Sequence, residues 1–420
     1  VSYDKLIFAT GSKAFVIPVP GSTLPSVIGW RTIDDTEQMM NIAKTKKKAI
    51  VIGGGLLGLE CARGLLDQGM EVTVLHLAEW LMEMQLDRKA GNMLKADLEK
   101  QGMKFEMQAN TTEILGEDDV EGVKLADGRE IPADLVVMAV GIRPYTEVAK
   151  ESGLDVNRGI VVNDVMQTSD SNVYAVGECA EHNGKVYGLV APLYEQGKVL
   201  ADHLTNKETN GYKGSTTFTS LKISGYDLYS AGQIVENAEI KGIEIFNSVD
   251  NNYKKIFLKD GNVVGAVLYG DIDDGSRFYN MMKKGESTED YTLVSLLTKG
   301  GEEASLSIAD MADDETICGC NGVDKGTIVN AITENGFTTV EEVTAKTKAG
   351  NSCGKCKPQI AQILQHTLGD DFVAAKPAGI CGCTDLTRDQ IVTQIRAKGL
   401  KTSKEVRHVL NFKNKGGCPK

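Results

Sequence analysis

Cys318-Gly-Cys320 and, after 32 intervening residues, Cys353-Gly-Lys-Cys356 place four thiols in two close pairs. The two irons of a 2Fe–2S cluster each take two thiolates, which this pairing suits; tetrahedral zinc accepts four thiolates as readily. Gly319, Gly350 and Gly354 would let backbone approach the sulfides. A partial echo follows in Cys381, Cys383 and Cys418. Its fourth ligand would be the next residue after Lys420, so the set is either completed in a longer parent or a vestigial copy that binds nothing. Of the nine cysteines only Cys61 and Cys179 stand outside this cluster, and both read as small core residues. Paired spacing favours metal ligation over disulfides.

Gly53-x-Gly55-x-x-Gly58 carries a second chemistry. It follows an apolar strand from Lys48 and opens a helical pattern, the context in which such glycines form a dinucleotide-binding turn. The first glycine permits the turn, the second admits pyrophosphate to the backbone, and the third lets helix and strand pack closely. An acid to hold the ribose is expected about 20 residues on. The strand Glu71–Leu75 instead runs into His76, with Glu79 beyond it and no arginine cluster, so the sequence leaves NADH and NADPH unresolved. His76 could touch a 2′-phosphate or the adenine edge, or simply cap the strand. His182 and His203 read as surface or helix residues.

The elements that must position these groups follow from periodicity. Strand, glycine turn, helix and strand repeat through Met107, with a helix over Asp87–Gln101, as a parallel sheet requires. Val123–Leu125 and Ile131 flank the turn Asp127-Gly128, and Leu135–Val140 reads as a buried strand. From Gly214 to Asp271 short strands and the turn Lys259-Asp260-Gly261-Asn262 indicate an α+β domain. A polar linker follows, with one short helical stretch. Ile317-Cys-Gly-Cys320 then recurs as Ile380-Cys-Gly-Cys383, and at that offset Ile328, Ile332, Gly336, Thr339, Glu342 and Val343 meet Ile391, Ile395, Gly399, Thr402, Glu405 and Val406. That register marks a duplication.

A net charge of −12 over 420 residues argues against nucleic-acid binding. The longest apolar run, Leu135–Ile142, is far short of a membrane span, and the expected location is cytoplasmic. The chain opens without an initiator Met and stops inside a cysteine motif, so both ends are expected to be cut.

Several segments resemble two-dinucleotide-fold flavoprotein reductases. Ala9-Thr10-Gly11-Ser12 is similar to their first ATG segment, Ala139-Val-Gly141-Ile-Arg-Pro144 to the second, and Val173-Tyr-Ala-Val-Gly177-Glu178 to the motif whose acid holds the ribityl chain of FAD. Most relatives have Asp where Glu178 stands. Glu60 matches a position that orients nicotinamide over flavin, its alternative being a structural helix carboxylate. The cysteine module resembles the ferredoxin associated with bacterioferritin. Together these segments resemble the family of NAD(P)H-dependent nitrite reductase large subunits.

The resemblance implies an α/β two-dinucleotide-binding flavoprotein reductase fold, an α+β domain and small helical iron–sulfur modules. Its divisions are a partial FAD-binding domain over 1–45, an NAD(P)-binding domain over 46–142, the second part of the FAD-binding domain over 143–208 and the α+β domain over 209–290. A linker over 291–315, a 2Fe–2S module over 316–375 and a second, truncated cysteine module over 376–420 complete them. The implied cofactors are FAD, NAD(P)H and a 2Fe–2S cluster. The first glycine motif for FAD is expected upstream of Val1, and sirohaem and 4Fe–4S only in a missing C-terminal part of the parent chain. A small subunit and a homodimer belong to the same expectation. Two rival readings stand beside it: a flavin reductase feeding a rubredoxin, ferredoxin or nitrate reductase partner, and a non-enzymatic redox-sensing or iron-handling module.

Overall fold

A computed structural model describes residues 2–220, 226–289, 291–297, 308, 311–352, 354, 356–369, 383–384, 386, 388–398, 400, 402–410 and 412–413. Its central feature is a five-stranded parallel sheet in the order Val27–Gly29, Leu135–Met138, Lys48–Ile52, Glu71–His76, Lys104–Met107. Alternation along the strands sends side chains to two buried faces, as parallel sheets require. Val51, Val74, Leu135 and Val137 meet the helices α1 (Ile33–Ala43), α2 (Leu56–Asp67) and α3 (Arg88–Lys100). Ile50, Ile52, Val136 and Met138 are instead covered by an antiparallel meander of Thr111–Leu115, Gly122–Leu125 and Glu130–Pro132.

The predicted strand Leu135–Val140 stops at Met138. Gly141 takes φ of 100° and turns the chain, so that Ile142–Pro144 pairs antiparallel with Ser12–Ala14. Leu6–Phe8 pairs in parallel with Val173–Ala175. These two pairings draw the segments around Gly11, Gly141 and Gly177 to one edge. The short α4 (Glu147–Glu151) and the longer α5 (Val190–Leu204) flank that edge. His182 departs from the sequence reading: it lies in the strand Ala180–His182, 2% exposed, because its ring packs edge-on against Tyr212 and bonds Asp164 at 2.9 Å. His203 lies on α5 as expected.

The α+β unit is an antiparallel sheet of five strands, Phe218–Ser220, Leu228–Gly232, Asn262–Tyr269, Asn252–Lys259 and Lys241–Asn247 in spatial order. Asp260 and Gly261, with φ of 49° and 75°, make the tight turn that the sequence signals. One face is covered by α6 (Gly275–Lys284) and α7 (Leu293–Leu297), the latter being the helical stretch inside the predicted linker. The other face shares a core with α3 through Leu228, Tyr253, Phe257 and Val267. Hydrogen bonds seal this seam: the buried Asp97 of α3 accepts from Tyr269 (2.6 Å) and Asn251 (2.9 Å), and its carbonyl accepts from Tyr226.

The first cysteine module packs α8 (Lys325–Asn335), α9 (Val340–Thr347) and α10 (Lys357–Leu368) around Ile328, Ile332, Val343, Ile360 and Leu364. Its echo holds α11 (Arg388–Lys398) and α12 (Ser403–Val409). Thr339 and Thr402 start α9 and α12 with the same capping box, to Glu342 and Glu405.

Candidate functional site

The glycine turn has the geometry that its spacing implies. Gly53 has φ of 115°, and a Cβ there would lie 2.3 Å from the Ala139 carbonyl oxygen. A Cβ on Gly58 would lie 1.8 Å from the Gly53 oxygen, so only glycine lets α2 approach the strand this closely. Gly55 faces open space and caps α2 with no side-chain acceptor, leaving the first-turn N–H groups available to an anion. Glu60 lies half-buried one turn into α2. His76 is drawn inward: the Gly54 N–H donates to its Nδ1 at 3.0 Å, and the residue is buried.

At the second edge Ala9, Thr10, Gly11 and Ser12 leave the strand Leu6–Phe8 beside Gly177 and Glu178. The buried Ser12 hydroxyl donates to Glu178 at 2.7 Å, and the Arg31 guanidinium pairs with the same carboxylate oxygen. Thr10 donates to the Tyr145 carbonyl at 2.8 Å. Gly11, Gly141 and Gly177 all take positive φ, and the Cβ direction of each is open. The Gly177 N–H donates to Gln196 Oε1 at 3.0 Å, while the buried Gln196 Nε2 has no hydrogen-bond partner among the described residues. A buried amide donor beside three open glycines fits a polar cofactor edge, the ribityl side of a flavin. Arg31 and Gln196 escape the sequence reading because neither sits in a spaced motif; only the fold carries them to Glu178 and Gly177.

Cys318 and Cys356, at the ends of the strand Thr316–Cys318 and the start of α10, are buried together. The neighbouring Cys356 thiol, chiefly, pulls the Cys318 thiol down to about 6, with help from the Gly350 and Asn321 N–H groups and against its burial. A preformed thiolate is what a metal or cluster ligand requires. The backbone of Cys320 lies in the 3₁₀ turn Gly319–Asn321, and Cys383 is half-buried. Cys353, Cys381 and Cys418 lie outside the described residues. The turn Gly319–Asn321 rests against α5. A Cβ on Gly319 would lie 2.3 Å from the Phe218 ring, so the loop is seated flush on the α+β sheet. Lys283 to Thr316 (3.1 Å) and Lys284 to Glu315 (2.9 Å) fasten its approach.

Residues 1–197 match the family described as pyridine nucleotide-disulphide oxidoreductase, and residues 218–286 the rubredoxin NAD+ reductase C-terminal domain. The crystal structure of NADH:rubredoxin oxidoreductase from Clostridium acetobutylicum is 31% identical, with a TM-score of 0.57, covering 69% of this chain and 72% of that one. The chain belongs to the pyridine nucleotide-disulphide oxidoreductase family. This flavin- and pyridine-nucleotide-dependent oxidoreductase also carries the BFD-like [2Fe-2S] binding domain, matched at 316–366 and again at 379–420. The reductase is 54% identical over its whole length to Nitrite reductase [NAD(P)H] of Bacillus subtilis (strain 168), of which it covers 52%. It is 43% identical to the Assimilatory nitrate reductase electron transfer subunit of the same organism, matched over 100% of this chain and 54% of that one. It therefore spans about half the length of these relatives. Among the described residues no helix is long and apolar enough to cross a membrane.

Proposed function

We propose that this reductase is the electron-input portion of an NAD(P)H-dependent nitrite reductase, which takes electrons from NAD(P)H and delivers them through the first cysteine module to nitrite chemistry elsewhere in the parent protein. The observation that carries the reading is the seat of the Cys318 loop on α5, the helix whose Gln196 braces Gly177. Donor and acceptor halves thereby share one wall. The 54% identity over the full chain to a nitrite reductase supports nitrite as the terminal acceptor.

The bound flavin supplies the conversion of a hydride pair into single electrons. The chain's own residues do the rest. The Gly53–Gly58 turn and the amino end of α2 bind the pyrophosphate, and Glu60 orients the nicotinamide. Ser12 and Arg31 hold Glu178 ready for a ribityl hydroxyl, and Gln196 Nε2 donates into the same edge. Cys318, Cys320, Cys353 and Cys356 ligate the 2Fe–2S cluster. A sirohaem domain of the parent chain, a small subunit, homodimerisation and a cytoplasmic location belong to this proposal.

Anaerobic stopped-flow mixing of the whole parent protein with NADH or NADPH tests it. Flavin bleaching should come first, cluster bleaching second, and nitrite should then reoxidise both. Bleaching of both centres with no response to nitrite would favour the second reading, delivery to a nitrate reductase, which the 43% identical electron-transfer subunit supports.

A further inference from the structure

The strand that should present an acid to the nucleotide's ribose ends in His76, which faces the glycine turn instead. The loop that follows supplies a carboxylate. Met82 is fully buried and has φ of 54°, a left-handed conformation uncommon for so bulky a side chain. Its N–H donates to the Gly54 carbonyl at 3.1 Å, which ties the loop down onto the glycine turn. That reversal brings the next residue, Glu83, to the His76 ring, with 2.9 Å between His76 Nε2 and Glu83 Oε2. Because His76 Nδ1 accepts from Gly54, the ring proton sits on Nε2 and points outward, where the Trp80 carbonyl at 3.0 Å and the Glu83 carboxylate both face it. One imidazole thus bridges the glycine turn and a carboxylate that keeps 35% of its side chain exposed. The hydrogen bond from His76 holds the Glu83 carboxyl below the usual glutamate range, so it is ionised at neutral pH. Glu79, three residues from His76, is already paired with Arg88, whose guanidinium lies over the Trp80 ring.

We propose that Glu83, positioned by His76, is the carboxylate that accepts hydrogen bonds from the adenosine ribose hydroxyls and makes this site select NADH against NADPH. The assignment rests on the reductase reading above. Glu83 takes the place of the missing strand-end acid, and a 2′-phosphate entering there would meet a charge of its own sign. His76 acts through Glu83 as a positioning residue.

Calorimetric titration of the whole holoenzyme with NAD+ and NADP+, neither of which can reduce the flavin, tests the assignment. The unsubstituted protein should bind NAD+ at least about tenfold more tightly, and Glu83→Gln should cost NAD+ about tenfold through the lost charge-assisted hydrogen bonds. NADP+ should bind Glu83→Gln as well or better. His76→Ala should lower the NAD+ to NADP+ ratio toward the Glu83→Gln value, with His76→Gln recovering part of it. A ratio that Glu83→Gln leaves unchanged, with binding still tight, overturns this assignment and leaves the reductase reading standing. A ratio that responds to Glu83→Gln but not to His76→Ala removes His76 from it. Failure of the unsubstituted protein to bind either nucleotide sinks the reductase reading and this assignment together.

Discussion

The two cysteine modules share a helical frame, and among the described residues their burial differs. The duplication keeps the local signals in register: Thr339 and Thr402 cap α9 and α12 with matching boxes to Glu342 and Glu405. Burial diverges. Ile332 and Val343 are sealed in the first module, where α10 closes over them with Ile360, Ile363 and Leu364. Their counterparts Ile395 and Val406 are half-buried, while Ile391, like its counterpart Ile328, is buried. Helix starts are written locally and survive copying. The sealed positions of the first module are those that α10 covers, and the buried pair Cys318 and Cys356 lies at its start.

The largest contrast is expected at the ligands. In the whole protein Cys318→Ser should abolish the first cluster, with loss of about two irons and two acid-labile sulfides. Cys383→Ser should leave that cluster's visible spectrum in place. Stoichiometric zinc without acid-labile sulfide in anaerobically purified protein would break the iron–sulfur assignment for both modules. Core truncation sharpens the comparison further. In residues 1–420, Ile332→Ala should destabilise the first module by about 2–5 kcal/mol, and Ile395→Ala by less than half of that, read from denaturant loss of cluster absorbance and of helical circular dichroism. Equal costs would mean that the second core is as closed as the first. The smallest effect should be the same in both copies: Thr339→Ala and Thr402→Ala should each cost about 1 kcal/mol, since the capping box is common to both.

What the sequence makes legible is whatever chemistry writes into short spacing. Gly53, Gly55 and Gly58 sit where a strand–turn–helix requires them, and the Cys318 pair and the duplication could be read in one dimension. What escapes is decided by tertiary direction. His76 is visible at a strand end, yet nothing local says that its ring turns toward Gly54 and Glu83. Arg31 reaches Glu178 across 147 positions. His182 looks like a surface residue until its strand is placed between two others. The break between Met138 and Ile142 comes from one positive-φ glycine inside an otherwise continuous apolar run.

The flush seat of Gly319 on Phe218, with the turn against α5, has a kinetic meaning. On the proposed route, a [2Fe-2S]-binding module tethered to and docked on the reductase would meet its donor at a local concentration fixed by the chain, not by the cell. Handover between the two halves would then be first order and insensitive to dilution. On that route a free carrier protein would have to compete for a wall that the chain's own module occupies, so the tether would set the path of the electrons as well as their speed.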